Sequence, residues 1–255
     1  MRLALCVGVY LAWRRYFDDS IAVAEASREA ARLAGDRLDE ANAWNNLGVA
    51  LRHAGRAEEA IDVLTRACDL YQAVGDRHRE ARAWNSLGNA LREVGRAGEA
   101  IDVLTRARDL FRAVGDRHRE AMAWDHLGVA LGDVGRVGKA IDALTRARDL
   151  YQVAGDRHSE GKAWYNFGFV LQAAGRVEEA IEAYGKDLEI CREFEDWYGA
   201  GQTLHNLAVA HEAAHRPTEA RTAWFQAADA YTRANAPAEA TQALIWAAEL
   251  NTPFV

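Results

Sequence analysis

A period of 40 residues runs through this chain of 255 and constrains its fold more than any other feature. Residues 76–115, DRHREARAWNSLGNALREVGRAGEAIDVLTRARDLFRAVG, match residues 116–155 at 27 of 40 positions without a gap. Trp44, Trp84, Trp124 and Trp164 mark the register, and Leu204 and Leu244 continue it with a different side chain. Gly-Arg recurs at 55, 95, 135 and 175, then becomes His215-Arg216-Pro217. Gly-Asp-Arg recurs at 35, 75, 115 and 155, then becomes Glu195-Asp196-Trp197. A repeat of this length is one supersecondary unit that buries its apolar face by stacking on its neighbours.

Each unit reads as two helices. In residues 76–115, Asp76 is placed to cap helix A, its carboxylate accepting free amide hydrogens of the first turn. Helix A is predicted from Arg77 to Glu93. Trp84, Leu87, Gly88 and Leu91 fall at i, i+3, i+4 and i+7, one helical face. Gly95 suits a left-handed C-terminal cap. Helix B is predicted from Ala97 to Ala113, with Ala100, Ile101, Leu104, Ala107 and Phe111 on one face, and Gly115 closes it. Gly88, Ala100 and Ala107 are small, so the two helices can approach closely. The recurring tryptophans read as core residues facing helix B rather than as a stacking platform for bases or a cofactor. Half the chain is apolar and proline is scarce, at 3, which agrees with an all-helical fold large enough to bury a core.

W-x-x-L-G in helix A, then A-I, A and an aromatic in helix B, resembles the tetratricopeptide repeat. The familiar unit has about 34 residues; this one is longer. Its N-N-L-G and H-N-L-A segments are similar to kinesin light chain repeats, and to the arrays attached to actinobacterial regulators that carry a nucleotide-binding ATPase module. The resemblance implies an all-α, right-handed superhelical solenoid of antiparallel helix pairs, with A helices lining a concave side. On this register the expected domain is one solenoid over 1–255. It comprises a partial first repeat at 1–35, full repeats at 36–75, 76–115, 116–155, 156–195 and 196–235, and a capping helix at 236–250. Gly8 and Leu11 stand forty residues before Gly48 and Leu51, so 1–13 read as the rear of a helix A. The same stretch looks faintly like a signal peptide, but no small-residue cleavage site follows, and it is too short to span a bilayer.

Several motifs imitate chemistry. GDVGRVGKAI, 132–141, resembles a phosphate-binding loop, but five residues separate Gly132 from Gly138 and Ala140 stands where a hydroxyl is needed. His78, His118 and His158 recur at corresponding sites on the order of 10 Å apart, whereas metal ligands converge at about 2 Å from one centre. Cys6, Cys68 and Cys191 show no disulfide or zinc spacing, which favours a reducing, cytoplasmic setting. A net charge of −7 argues against a nucleic-acid surface. No enzyme activity, metal or cofactor is expected, and neither nucleic acid nor membrane is an expected partner.

The resemblance also implies which helix A positions face the groove. These are Asn42, Asn45, Asn46 and Arg52 in the first full unit, and Arg82, Asn85, Asn89 and Arg92 in the second. Asp125 and His126 follow in the third, Tyr165, Asn166 and Phe169 in the fourth, and His205 and Asn206 in the fifth. An asparagine offers an acceptor and two donors on one plane, matching the N–H and C=O of an extended peptide. Arg52, Arg82 and Arg92 would attract acidic groups, while Tyr165, Phe169 and Val209 would offer apolar pockets. The pattern departs from the clamp that holds chaperone tails, because Asn85 stands where a lysine is wanted. Two roles for the amides stay open: gripping a partner's backbone, or bonding one A helix to the next. The expected function is a non-enzymatic scaffold that binds a peptide or protein segment, as the sensor or docking part of a regulator. The alternatives are self-assembly through the terminal repeats and a regulatory portion of a larger ATPase or protease.

Overall fold

A computed structural model describes residues 17–250. Cys6, Gly8 and Leu11, with the first helix A expected around them, lie outside the described residues. Twelve α-helices and no strands occur among the described residues. They are α1 (Phe17–Ala34), α2 (Arg37–His53), α3 (Ala57–Val74), α4 (Arg77–Glu93), α5 (Ala97–Ala113), α6 (Arg117–Asp133), α7 (Val137–Ala154), α8 (Arg157–Ala173), α9 (Val177–Glu193), α10 (Trp197–Ala213), α11 (Pro217–Arg233) and α12 (Pro237–Glu249). The boundaries expected for residues 76–115 are those of α4 and α5.

The helix ends follow the corner chemistry read from the sequence. Asp36, Asp76, Asp116, Asp156 and Asp196 each accept the backbone N–H three residues on, capping every A helix from α2 to α10. Gly95 adopts φ +79°. The Gly95 N–H donates to Arg92 and the Arg96 N–H to Leu91, which closes α4. Where glycine is lost the left-handed turn persists: Glu195, His215 and Asn235 hold φ of 53°, 57° and 55°.

The chain divides into two compact units, 1–134 and 135–255. In the first, α1 to α6 pack consecutively, and the A helices α2, α4 and α6 also pack on one another. In the second, α7 to α12 pack consecutively and α8 also touches α10. The interlock is set by glycine. A Cβ on Gly48 would stand 2.5 Å from Leu64 Cγ, one on Gly88 2.4 Å from Leu104 Cγ, and one on Gly168 2.6 Å from Tyr184 Cε1. Leu64, Leu104 and Tyr184 are wholly buried in these notches.

The tryptophans differ from expectation. Trp44, Trp84, Trp124 and Trp164 are only half-buried, and a guanidinium covers part of each ring. Arg28 lies 4.7 Å from the Trp44 centroid, Arg108 4.4 Å from Trp124 and Arg148 4.8 Å from Trp164, each from the preceding B helix. Cys68 replaces that arginine before Trp84, and Arg106 of α5 covers the ring instead at 4.4 Å. The indole N–H of Trp84 donates to Glu80, one turn back, at 3.1 Å. Arg106 donates to the same buried carboxylate at 2.7 Å. Glu120 is shared by Arg112 and Arg117, which leaves the Trp124 indole N–H buried without a partner.

Candidate functional site

The positions expected to face a groove lie on the A helices, where Asn45, Asn85 and Asp125 are buried, and the structure sorts them by what their polar atoms already do. In the first unit, Asn85 is buried, and its Oδ1 lies 3.0 Å from His126 Nδ1 on α6. Asn89 Nδ2 lies 3.3 Å from the same nitrogen. A protonated Nδ1 donates to Asn85, and a bare one accepts from Asn89, so either tautomer joins α4 to α6. Burial first, then Arg92 and Arg52, pushes the His126 imidazole down to about 4. Arg52 is paired with Glu93 at 2.6 Å and Arg92 with Asp133 at 2.7 Å, again from one A helix to the next. Asn42 accepts the Tyr71 hydroxyl at 2.8 Å, tying α2 to α3. Asp125 is buried and engaged.

Three groove positions of the first unit remain uncommitted. Asn45 is 7% exposed, and its Oδ1 is buried with no hydrogen-bond partner among the described residues. Its neighbour Asn46 is half-buried and makes no side-chain hydrogen bond there. Arg82, exposed on α4, makes no ion pair or hydrogen bond with the described residues.

The second unit offers a more apolar face. Phe169 on α8 and Val209 on α10 occupy equivalent positions at 45% and 37% exposure. Between them, Asn206 donates to the Tyr165 hydroxyl at 3.0 Å, so these two groups are bound to each other. Asn166 is engaged as well. His205 packs edge-on against Trp224 and Trp246, at 4.8 and 4.9 Å between centroids, and burial lowers its pKa.

Other titratable groups are also structural. His78 meets the cap carboxylate of Asp116 at 2.9 Å and packs edge-on against Phe111, while His158 packs against Phe194. His78 therefore joins its repeat to the next, while His158 packs within its own, roles that their place in the first turn did not reveal. Cys68 and Cys191 are buried free thiols, and burial pushes the Cys191 thiol up to about 12. Asp187 is buried too, accepting from Thr203 at 2.5 Å, and desolvation raises its carboxyl to about 6. No group of three metal-ligating side chains converges among the described residues, and no helix there is long and apolar enough to cross a membrane.

Helical hairpins of this kind, interlocked glycine to leucine and stacked A helix on A helix, define a class of helical-repeat interaction proteins. The tetratricopeptide repeat profile matches residues 1–73, 79–152 and 159–233. The chain belongs to the tetratricopeptide repeat family. No curated protein sequence matches it. Among solved structures it is similar to BtubC (BKLC) from P. vanneervenii, with a TM-score of 0.73 and 18% identity over 86% of this chain and 92% of that one. It is similar to the quorum sensor NprR from B. thuringiensis in its apo form, with a TM-score of 0.72 and 14% identity over 99% and 71%. It also resembles the Signal Transduction ATPase with Numerous Domains protein with a tetratricopeptide repeat sensor from Pyrococcus horikoshii. That TM-score is 0.73, at 13% identity over 96% of this chain and 41% of that one. At these identities the likeness is one of fold.

Proposed function

We propose that the chain is a non-enzymatic, cytoplasmic interaction scaffold that holds an extended protein segment against its A helices, as the sensing or docking part of a regulator. The observation that carries this reading is the unmet hydrogen-bonding capacity on α2. Among the described residues, Asn45 Oδ1 is buried without a partner and Asn46 beside it makes no side-chain hydrogen bond, whereas Asn85, one repeat on, bonds the following A helix. A buried acceptor left empty costs about 1–3 kcal/mol. Asn45 Oδ1 lies out of reach of a bound segment, whereas the half-buried Asn46 amide is open to one and can meet both the N–H and the C=O of a peptide group. Within the second unit, the exposed Phe169 and Val209 offer an apolar surface of their own. Two of the similar structures are named as sensors or contain a repeat sensor, which agrees with a regulatory role.

The test is site-specific photo-crosslinking in the native cell, followed by peptide-level mapping of what is captured. A photoreactive side chain at Asn46 should capture one defined partner segment; the same group at Asp62, exposed on the B helix α3, should not. Equal capture from both faces would sink the reading. A second reading, self-association through the last repeat, is favoured by Leu244 and Ile245, both exposed on α12. Light scattering over a concentration series separates the two, since a strict monomer excludes self-association.

A further inference from the structure

The groove carries three arginines expected to attract acid, and the structure separates them. Glu93 neutralises Arg52 and Asp133 neutralises Arg92. Arg82 makes no ion pair or hydrogen bond among the described residues. It stands one turn after Arg79 on the same face of α4, and Arg119 of the neighbouring α6 lies close enough to act on it electrostatically. Arg79 is paired with the cap carboxylate of Asp76, and Arg119 with that of Asp116 at 3.2 Å. Three guanidiniums therefore face two carboxylates, and Arg82 is the surplus charge. Burial first, then repulsion from Arg119 and Arg79, lowers the Arg82 pKa, and Tyr71 and Asp76 offset this only in part. An acceptor of a single negative charge completes the set, and the planar guanidinium fork matches a carboxylate in two-pronged geometry.

We infer that Arg82 is the recognition point for one acidic side chain, Asp or Glu, on the segment held at Asn46 of α2. The inference rests on the proposed segment-binding role and adds a sequence requirement to it. The carboxylate meets Arg82 while the backbone of the segment is held at Asn46. The recognition is a single charge-assisted contact rather than a broad basic patch, because every other arginine in this part of the groove is already paired. Binding therefore weakens as salt screens the pair.

The probe is a random decapeptide library displayed on phage and panned against the full chain and against Arg82→Gln. The wild-type chain should select peptides with Asp or Glu at one fixed position. For the best such peptide, replacing the acid by its amide should weaken binding to the wild type by about tenfold or more. That replacement should change binding to Arg82→Gln by less than twofold, and Arg82→Lys should restore part of the discrimination. The four affinities form a cycle that isolates the pair from any general loss. A wild-type consensus lacking an acid, or an acid preference that survives in Arg82→Gln, overturns the inference and leaves segment binding standing. If the wild type selects no peptide at all, segment binding and the inference fall together. Urea unfolding of Arg82→Gln at the wild-type midpoint establishes that the variant is folded.

Discussion

At the scale of single residues, the same side chain does different work one period apart, and its neighbour decides which. Cys68 in place of arginine hands the cover of Trp84 to Arg106. Asn85 bonds the His126 ring, while Asn45 Oδ1 has no hydrogen-bond partner among the described residues. Asp187 is the most informative buried residue. Its carboxyl titrates near 6 because burial outweighs the Thr203 hydrogen bond, so the folded state resists its ionisation. Since the folded value lies above the ordinary carboxylate value, the ionised group lowers stability at neutral pH, and the cost disappears as pH falls through 6 toward 4. Asp187→Asn keeps an acceptor for Thr203 and removes the charge. It should stabilise the protein by about 1–2 kcal/mol at pH 7.5 and by almost nothing at pH 4. Urea unfolding at both pH values measures this, and an equal effect at both would contradict the assignment.

At the scale of elements, each hairpin is defined by its corners and its notch. An aspartate opens the A helices α2 to α10 and a left-handed residue follows each hairpin helix; in α2, α4 and α8 a glycine admits a large side chain from the B helix, and in α10 Ala208 stands at that position. The corners at Glu195, His215 and Asn235 keep the left-handed geometry without glycine. A side chain there costs roughly 1–2 kcal/mol of steric strain, partly offset by a less flexible unfolded chain. Glu195→Gly and His215→Gly should each raise stability by about 0.5–1 kcal/mol, read as a higher urea midpoint at unchanged m-value. A drop in midpoint would mean that the side chain makes a contact worth more than the strain.

At the scale of the whole molecule, stability depends on neighbour terms within each unit, and the two units carry opposite pH responses. In 17–134, the His126 imidazole is held near 4, below its ordinary 6.5, so stability is lost as pH falls from 6.5 toward 4. Asp76, Asp116 and Glu120 have lowered carboxyls through backbone and arginine hydrogen bonds, so their contribution is lost at still lower pH. In 135–250, Asp187 works in the other direction. Hydrogen exchange at pH 7 and pH 4.5 should therefore show protection falling more in α4 and α6 than in α9 and α10. His126→Gln, which can still bond Asn85 or Asn89, should remove about 1–2 kcal/mol of that loss. Equal loss in both units would place the acid response elsewhere.

Much of this was legible in the sequence because a repeat repeats its local physics. The boundaries of α4 and α5, the Asp76 cap, the Gly95 closure and the need for a small residue at Gly88 each depend on a few adjacent residues. Spacing alone carries that information. The sequence also suggested a helix face for the candidate site. It could not tell which of the polar groups on that face were free. Arg52, Arg82 and Arg92 look alike in one dimension, yet Glu93 and Asp133, each forty-one residues on, neutralise two of them. Asn45 and Asn85 are identical residues at equivalent positions, but only one meets a histidine from the next A helix. The indoles were expected inside and proved half-covered by arginines from another helix. Local spacing determined the helices, their caps and their notches. Tertiary structure alone decided which polar atoms were consumed in stacking and which were left over, because that depends on contacts between residues far apart in the chain.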